Sequence, residues 1–194
     1  MNGNNLRRHT IIALVEDRPG VLHRIASKWR QRGFNIVSLA VGHSEKPGLS
    51  RMTFVVDAST DAEQVVKQVD KLVDVVDIRD ISDEGIVARE MALIKVGVDA
   101  GSRSHIIEIA DLFRANIVDV SAGSVILEVM GDEGKVEAIF ELLRDYSVIE
   151  MVRTGRVAML RGAAASHSQD HEEPERYQGF EPPYTPQEED GVRG

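Results

Sequence analysis

VEDRPGVLHRIA, residues 15–26, contains the change from an extended to a helical pattern on which the predicted fold depends. An apolar run, Ile11 to Val15, ends at its first letter, and residues 17–20 break the pattern sharply. Apolar residues then recur at helical spacing on one face: Val21, Leu22, Ile25, Ala26 and Trp29. Gly33 ends this helix, and Asn35 opens a second β-type run. The stretch therefore predicts a strand, a tight loop, a helix and a strand.

The predicted loop directs the first free backbone N–H groups of the helix, near Gly20 to Leu22, beyond the end of the preceding strand. Such a helix start attracts a carboxylate or a phosphate. Asp17, one turn away, supplies the opposite charge. An anion-binding helix start beside a carboxylate suits a zwitterion, such as a free amino acid.

The composition narrows the classes of protein. The 194 residues are 42% hydrophobic, enough for a real core in one or two domains. The absence of cysteine excludes a disulfide framework and a thiolate metal site, and it fits a cytoplasmic location. No apolar run approaches the roughly 20 residues of a membrane span, and the polar start does not resemble a secretory signal. A net charge of −9 argues against non-specific nucleic-acid binding.

The predicted elements follow the order β-α-β-β-α-β, which is the ferredoxin-like unit of an α+β fold. The same order then repeats, with residues 91–98 opening the second unit and residues 148–160 closing it in extended structure. Three pairs of residues recur 81 positions apart: Gly20 and Gly101, Asn35 and Asn116, and Gly42 and Gly123. The sequence thus predicts a tandem of two ferredoxin-like βαββαβ units.

Three segments are expected. The first unit spans residues 8–82, the second spans residues 86–162, and an acidic tail follows at residues 163–194. The tail holds eight acidic and two basic side chains and four of the six prolines. With so few aliphatic residues it cannot bury enough apolar surface to offset the entropy of ordering, so we expect it to be disordered.

Further blocks of sequence carry a family resemblance. They are Gly-Phe-Asn-Ile at 33–36, Leu-Ser-Arg-Met-Thr at 49–53, Lys-Leu-Val-Asp-Val at 71–75 and Arg-Glu-Met-Ala-Leu-Ile-Lys-Val at 89–96. The first block, with the loop at 17–22, resembles the ligand corner of an ACT domain, a βαββαβ module that binds amino acids, usually between two copies. All the blocks in this order resemble the regulatory (small) subunit of acetolactate synthase, also called acetohydroxyacid synthase, over residues 8–162.

The resemblance implies a subunit without catalytic activity of its own. Its partner would be the large catalytic subunit, which carries thiamine diphosphate, Mg²⁺ and usually FAD. The small subunit would raise the activity of that partner and make it sensitive to branched-chain amino acids, chiefly valine. Residues 8–82 would be the effector-binding ACT domain and would form a homodimer.

The effector-binding positions of the family fall in this sequence on Asp17, Gly20, Val21, Leu22, Asn35 and Ile36. The effector carboxylate would take backbone N–H groups near Gly20 and Val21. Its ammonium would meet Asp17 and the amide oxygen of Asn35, and its aliphatic side chain would lie against Leu22 and Ile36.

Some features depart from the family pattern or allow a simpler interpretation. Many members have asparagine where Asp17 stands, which leaves affinity and effector choice open. Val98 occupies the matching position of the second unit, so we expect no amino acid to bind there in the same way. Residues 17–20 could be only a turn that joins the strand to the helix, and Asn35 could merely cap the turn after Gly33.

Other functions known for this fold fit the sequence less well. Tandem ACT units also occur in amino-acid-sensing regulators of transcription, but no helix-turn-helix and no basic face is visible. An acylphosphatase-like hydrolase would need a phosphate cradle around Arg18, which precedes a proline. An RNA-binding sheet would need exposed aromatics, and Phe54 is the only aromatic residue in the predicted strands.

Overall fold

The computed structural model describes residues 7–58 and 62–162, so the acidic tail lies outside the described residues. So do residues 59–61, where Ser-Thr-Asp predicts the N-cap of the second helix. The first half contains β1 (Arg7–Glu16), α1 (Val21–Gln31), β2 (Asn35–His43), β3 (Leu49–Ala58), α2 (Ala62–Val69) and β4 (Val75–Asp80). The second half contains β5 (Ile86–Gly97), α3 (Arg103–Leu112), β6 (Asn116–Val120), β7 (Ser124–Gly131), α4 (Glu133–Leu143), β8 (Ser147–Arg153) and β9 (Val157–Leu160). The predicted α+β fold of two tandem ferredoxin-like βαββαβ units is confirmed.

The first unit is an antiparallel sheet in the order β2-β3-β1-β4, so β2 lies at an edge. Alternate residues of β1 face a core shared with both helices because successive strand side chains point to opposite faces. This core contains Ile11, Ala13, Val15, Val21, Ile25, Trp29, Met52, Phe54, Val56, Val65, Val69 and Ile78. The indole of Trp29 is fully buried and meets the ring of Phe34 edge-on, with 5.9 Å between the ring centroids.

The second unit repeats this architecture in the order β6-β7-β5-β8. Its β6 begins at Asn116, 81 residues after the start of β2 at Asn35, as the repeat predicts. Its core is aliphatic, with Ala92, Ile94, Val96, Ile106, Ala110, Val125, Leu127, Val129, Val136, Ile139 and Leu143.

The strand limits predicted at the two ends of the second unit were wrong. Extended structure does not run unbroken from residue 148 to 160, because Gly155 has a φ of 83° and separates β8 from β9. β5 begins at Ile86 rather than at Met91, and its first four residues pair with β9. In the first unit, Pro47 and the glycines at 42 and 48 predict a loop over residues 42–48, but β2 continues to His43.

The two units pack through the face of the first sheet that its helices leave open. Ile12, on the opposite face of β1 from the core residues, joins Ile81 and Ala158 in a buried apolar cluster. Ile86, Ala88 and Leu160 pack around this cluster. The β5–β9 ribbon therefore attaches the second unit to the first sheet.

Among the described residues, no helix is both long enough and apolar enough to cross a membrane.

Candidate functional site

The site begins where α1 starts. Gly20 precedes the helix with a φ of 88°, a left-handed conformation that glycine adopts without steric cost. No side chain caps the helix at this residue, and its first turn contains no acidic residue. The N–H groups of the first turn, with the positive end of the helix dipole, are therefore available to an anion.

Asp17 lies beside this helix start. Its backbone N–H donates to the carbonyl oxygen of Gly48 at 2.9 Å, which fixes the loop against the start of β3. Its carboxylate lies 3.0 Å from Nδ1 of His43, the last residue of β2, and stays partly exposed. The corner thus combines a free helix start, a carboxylate and the far end of the edge strand.

Two arginines surround the loop and converge on one buried carboxylate. Asp74, only 1% exposed, pairs with both Arg18 and Arg24, and Arg18 also contacts Glu16 at 2.6 Å. Burial opposes ionisation of Asp74, but hydrogen bonds from Arg24 and Arg18 outweigh it and hold the pKa of Asp74 below its usual range. A Cβ on Gly20 would lie 3.3 Å from Nη1 of Arg24, so one guanidinium lies directly against the helix start.

The predicted site residues separate into two groups within one chain. Gly20, Val21 and Leu22 lie with Asp17 at the start of α1, where Val21 is buried in the core and Leu22 is 38% exposed. Asn35 and Ile36 lie at the other end of the sheet.

The strand register gives the approximate distance between these two groups of residues. Asn35 pairs with Asp57, which pairs with Arg8 at the beginning of β1. Arg8 and Glu16 are eight residues apart on β1, about 26 Å at 3.3 Å per residue. A single chain therefore cannot bring the amide of Asn35 to an ammonium group held by Asp17.

In the second unit, the matching helix start, at α3, is already occupied by a carboxylate of the chain itself. Oδ1 of Asp99 accepts hydrogen bonds from the backbone N–H groups of Gly101 (2.9 Å) and Ser102 (2.7 Å) and from the hydroxyl of Ser102 (2.7 Å). The hydroxyl and these N–H groups lower the pKa of Asp99. An effector carboxylate arriving at α3 would have to displace Asp99, whereas the start of α1 has no such occupant.

Sequence reasoning missed His43, Arg24 and Asp74 as members of the corner. Asp74 is 54 residues or more from the loop, and although it lies in the block 71–75 that carries the family resemblance, nothing there indicates a contact with the loop. Arg24 follows the polar spacing of an exposed helix face, and His43 was placed in a loop. The tertiary packing of α1, β2 and β4 brings these residues together.

A separate cleft of about 410 Å³ opens between β2 and the β5–β9 ribbon. Its walls are mainly apolar and include Val41, Val87, Val157 and Met159. Among the predicted effector residues, none lines it. Within residues 7–58 and 62–162, no cluster of three or more histidine or acidic side chains is arranged to hold a metal ion.

Comparison with known proteins decides the family. The family model described as AHAS small subunit-like ACT domain matches residues 11–77, and the one described as small subunit of acetolactate synthase matches residues 89–162. The chain belongs to the acetolactate synthase small-subunit family. The two matches fall on the first and second ferredoxin-like units, so both halves of the tandem are part of the family fold.

Individual relatives agree with this membership. The chain is 50% identical over 156 residues to a probable acetolactate synthase small subunit of Archaeoglobus fulgidus, covering 80% of this chain and 98% of that one. It is also 50% identical over 157 residues to the acetolactate synthase small subunit of Mycobacterium bovis, covering 80% and 94%. The crystal structure of the Thermotoga maritima small subunit matches with a TM-score of 0.75 and 42% identity, over 81% of this chain and 99% of that one.

Proposed function

We propose that this chain is the regulatory subunit of an acetolactate synthase and confers feedback inhibition by a branched-chain amino acid, valine foremost. It activates the large catalytic subunit, and that subunit rather than this chain holds thiamine diphosphate, Mg²⁺ and FAD. The observation that carries the proposal is the uncapped start of α1 beside Asp17, in a chain of the acetolactate synthase small-subunit family.

A second copy of the chain would bring the two separated groups of site residues together. β2 is an edge strand whose Val37 and Val41 are 40% and 51% exposed, and such an edge favours pairing with another strand. If two β2 strands pair antiparallel around Leu39, Asn35 lies opposite the partner's His43. The Asn35 amide then reaches the corner that holds the partner's Asp17, because His43 lies against Asp17 in each copy.

The effector can be placed in this corner by charge. Its carboxylate accepts N–H groups of the first turn of α1, beside the guanidinium of Arg24. Its ammonium replaces His43 at the Asp17 carboxylate and meets the amide oxygen of the partner's Asn35. Charge-assisted hydrogen bonds contribute about 1.5–3 kcal/mol each, so the two charged ends dominate the affinity. The aliphatic side chain lies on the exposed surface of Leu22 and on the partner's Ile36.

Inhibition requires that the effector bind one arrangement of the enzyme complex more tightly than another, since equal affinity shifts no equilibrium. A site completed by two copies supplies this difference, because its geometry changes whenever the copies move relative to each other. The effector then stabilises the arrangement in which both halves of the site are in contact.

Reconstitution tests the proposal. The full chain is mixed with the thiamine-diphosphate-dependent large subunit from the same organism, and acetolactate formation is measured with and without valine, leucine or isoleucine. We expect the chain to raise the rate and at least one of these amino acids to lower it. A rate that responds neither to the chain nor to any of the three amino acids would contradict the proposal.

A further inference from the structure

The turn between β8 and β9, residues 154–156, rests on the edge strand of the first unit. Gly155 has a φ of 83°, and a Cβ at this residue would lie 2.8 Å from Oγ of Ser38 and 2.9 Å from the carbonyl oxygen of Leu39. A Cβ contact below about 3 Å with backbone forces a shift. The second unit thus touches the middle of β2 at a point where a side chain does not fit.

Arg156, the next residue, connects three elements. Its backbone N–H donates to Oγ of Ser38 on β2 at 2.8 Å, and its Nη1 donates to Oγ1 of Thr10 on β1 at 3.0 Å. Its Nη2 forms an ion pair with Glu133, the first residue of α4. Thr10 is only 4% exposed, so the guanidinium reaches well into the junction between the units.

Glu133 also forms an ion pair with a second arginine, which belongs to the first unit. Arg8 of β1 pairs with the other carboxylate oxygen of Glu133, and its Nε lies 3.5 Å from Asp57 of β3. The start of α4 is therefore tied to both β1 and, through Arg156, β2. In contrast, the apolar cluster between the units contacts the first sheet at Ile12, which belongs to β1.

We propose that Gly155 and Arg156 are positioning residues for regulation: they clamp β2 to the second unit and transmit a displacement of β2 to α4. The proposal rests on the proposed function, because Ser38 lies between Asn35 and His43, the two residues of β2 that reach effector sites. Effector binding that moves β2 changes the hydrogen bond at Ser38 and, through the guanidinium, the ion pair at Glu133.

The clamp can be tested on the full chain without an effector. Gly155→Ala presses a methyl group onto Ser38, whereas Gly162→Ala, the matched control, has a similar φ of 79° and no atom within 4 Å of its Cβ. We expect Gly155→Ala to speed hydrogen exchange in residues 36–40 about tenfold, since the clamp bond is worth about 1.4 kcal/mol. Gly162→Ala should exchange like the parent chain. Equal exchange in all three proteins would overturn the clamp.

Transmission is tested by comparing effector binding with inhibition. Arg156→Met keeps the volume of the side chain and removes its bonds to Thr10 and Glu133. We expect valine binding to the full-length variant, measured by calorimetry, to stay within about threefold of the parent. In the reconstituted complex of this variant, the valine concentration that halves acetolactate formation should be at least about tenfold higher than in the parent complex. This rise would exceed any change in the dissociation constant.

The outcomes separate this inference from the proposed function. If the parent complex is inhibited by valine and Arg156→Met is inhibited in proportion to its binding, the transmission role is wrong and the proposed function stands. If the parent complex shows no inhibition, the proposed function fails, and the hydrogen-exchange comparison still decides whether the clamp exists.

Discussion

The carboxylate of Asp17 lies 3.0 Å from Nδ1 of His43, so the strand that begins with Asn35 ends against the residue proposed to hold the effector ammonium. In the dimer that we propose, both ends of β2 belong to effector sites, one in its own chain and the other in the paired copy. The turn at Gly155 contacts the same strand between these ends. The proposed effector binding, the proposed pairing of copies and the observed contact with the second unit would all act on this one edge strand.

Asp17→Ala should weaken effector binding because the ammonium loses its carboxylate. The expected loss is about 2–3 kcal/mol, or roughly 30- to 150-fold in the dissociation constant for valine. Activation of the large subunit should persist, since activation needs contact with that subunit and not an occupied effector site. Calorimetry with valine and rate measurements on the reconstituted complex check both statements.

Asp119→Ala is the matched control for this variant, because Asp119 is an exposed carboxylate on β6 of the second unit. It should leave valine binding unchanged. An Asp17 variant that loses activation together with inhibition would show that the corner supports the fold or the subunit contact rather than the effector.

Gly20→Asp should impair inhibition more than Asp17→Ala does. The new carboxylate would stand at the uncapped start of α1, where the effector carboxylate is proposed to bind, and the φ of 88° would add strain of about 1 kcal/mol or more. Gly20→Ala carries the strain without the charge and serves as the comparison. Inhibition curves for Gly20→Asp that match those of Gly20→Ala would place the effector carboxylate elsewhere.

Asp74→Asn should destabilise the chain in a pH-dependent way. Because the folded pKa of Asp74 is lowered, its carboxylate stabilises the fold above the unfolded pKa, and this contribution is lost as the pH falls through the lower folded pKa. At pH 7 the variant should lose about 1.5–3 kcal/mol of unfolding free energy. Urea unfolding at pH 7 and below about pH 4 should show the difference between the two proteins shrinking in acid.

Side-chain selectivity should follow the apolar surface of the effector. Valine has two more carbon atoms than alanine, and each buried methylene contributes about 0.8 kcal/mol. Valine should therefore bind about fifteenfold more tightly than alanine. Equal affinities for the two amino acids would show that their side chains remain in water and that Leu22 and the partner's Ile36 do not line the site.

Periodicity was sufficient to predict most of the fold. The helical face from Val21 to Trp29 and the repeat of Asn35 at Asn116 were enough for two βαββαβ units. The break at Gly155 was missed because residues 148–160 are apolar enough to resemble one extended run. The start of β5 was missed because Arg89 and Glu90 interrupt the alternation, although β9 pairs with this segment.

The corner itself was only half predictable. A Gly-Val-Leu helix start after Asp17 indicates an anion site by local chemistry alone. The ion pairs of Asp74 depend on the register of β4 against β1, which no local pattern encodes. The distance between Asn35 and Asp17 within one chain likewise follows from sheet order. This distance is the reason why we propose a site shared by two chains.

The pairing of Asp17 of one copy with Asn35 of another is the arrangement that we propose for each effector site. It is tested by mixing Asp17→Ala chains with Asn35→Ala chains, each of which alone should lose valine binding. In a mixed dimer one site carries both substitutions and the other carries neither. After random exchange about half of the dimers are mixed, so valine should bind with parent affinity to about a quarter of the sites.

This titration is carried out by calorimetry on the two variants alone and after their equilibration together. Recovery of about a quarter of the parent binding capacity, at the parent dissociation constant, is the result that the two-copy site predicts. If neither variant binds valine alone and mixing them restores no binding, the result would contradict the two-copy site and would confine the site to a single chain.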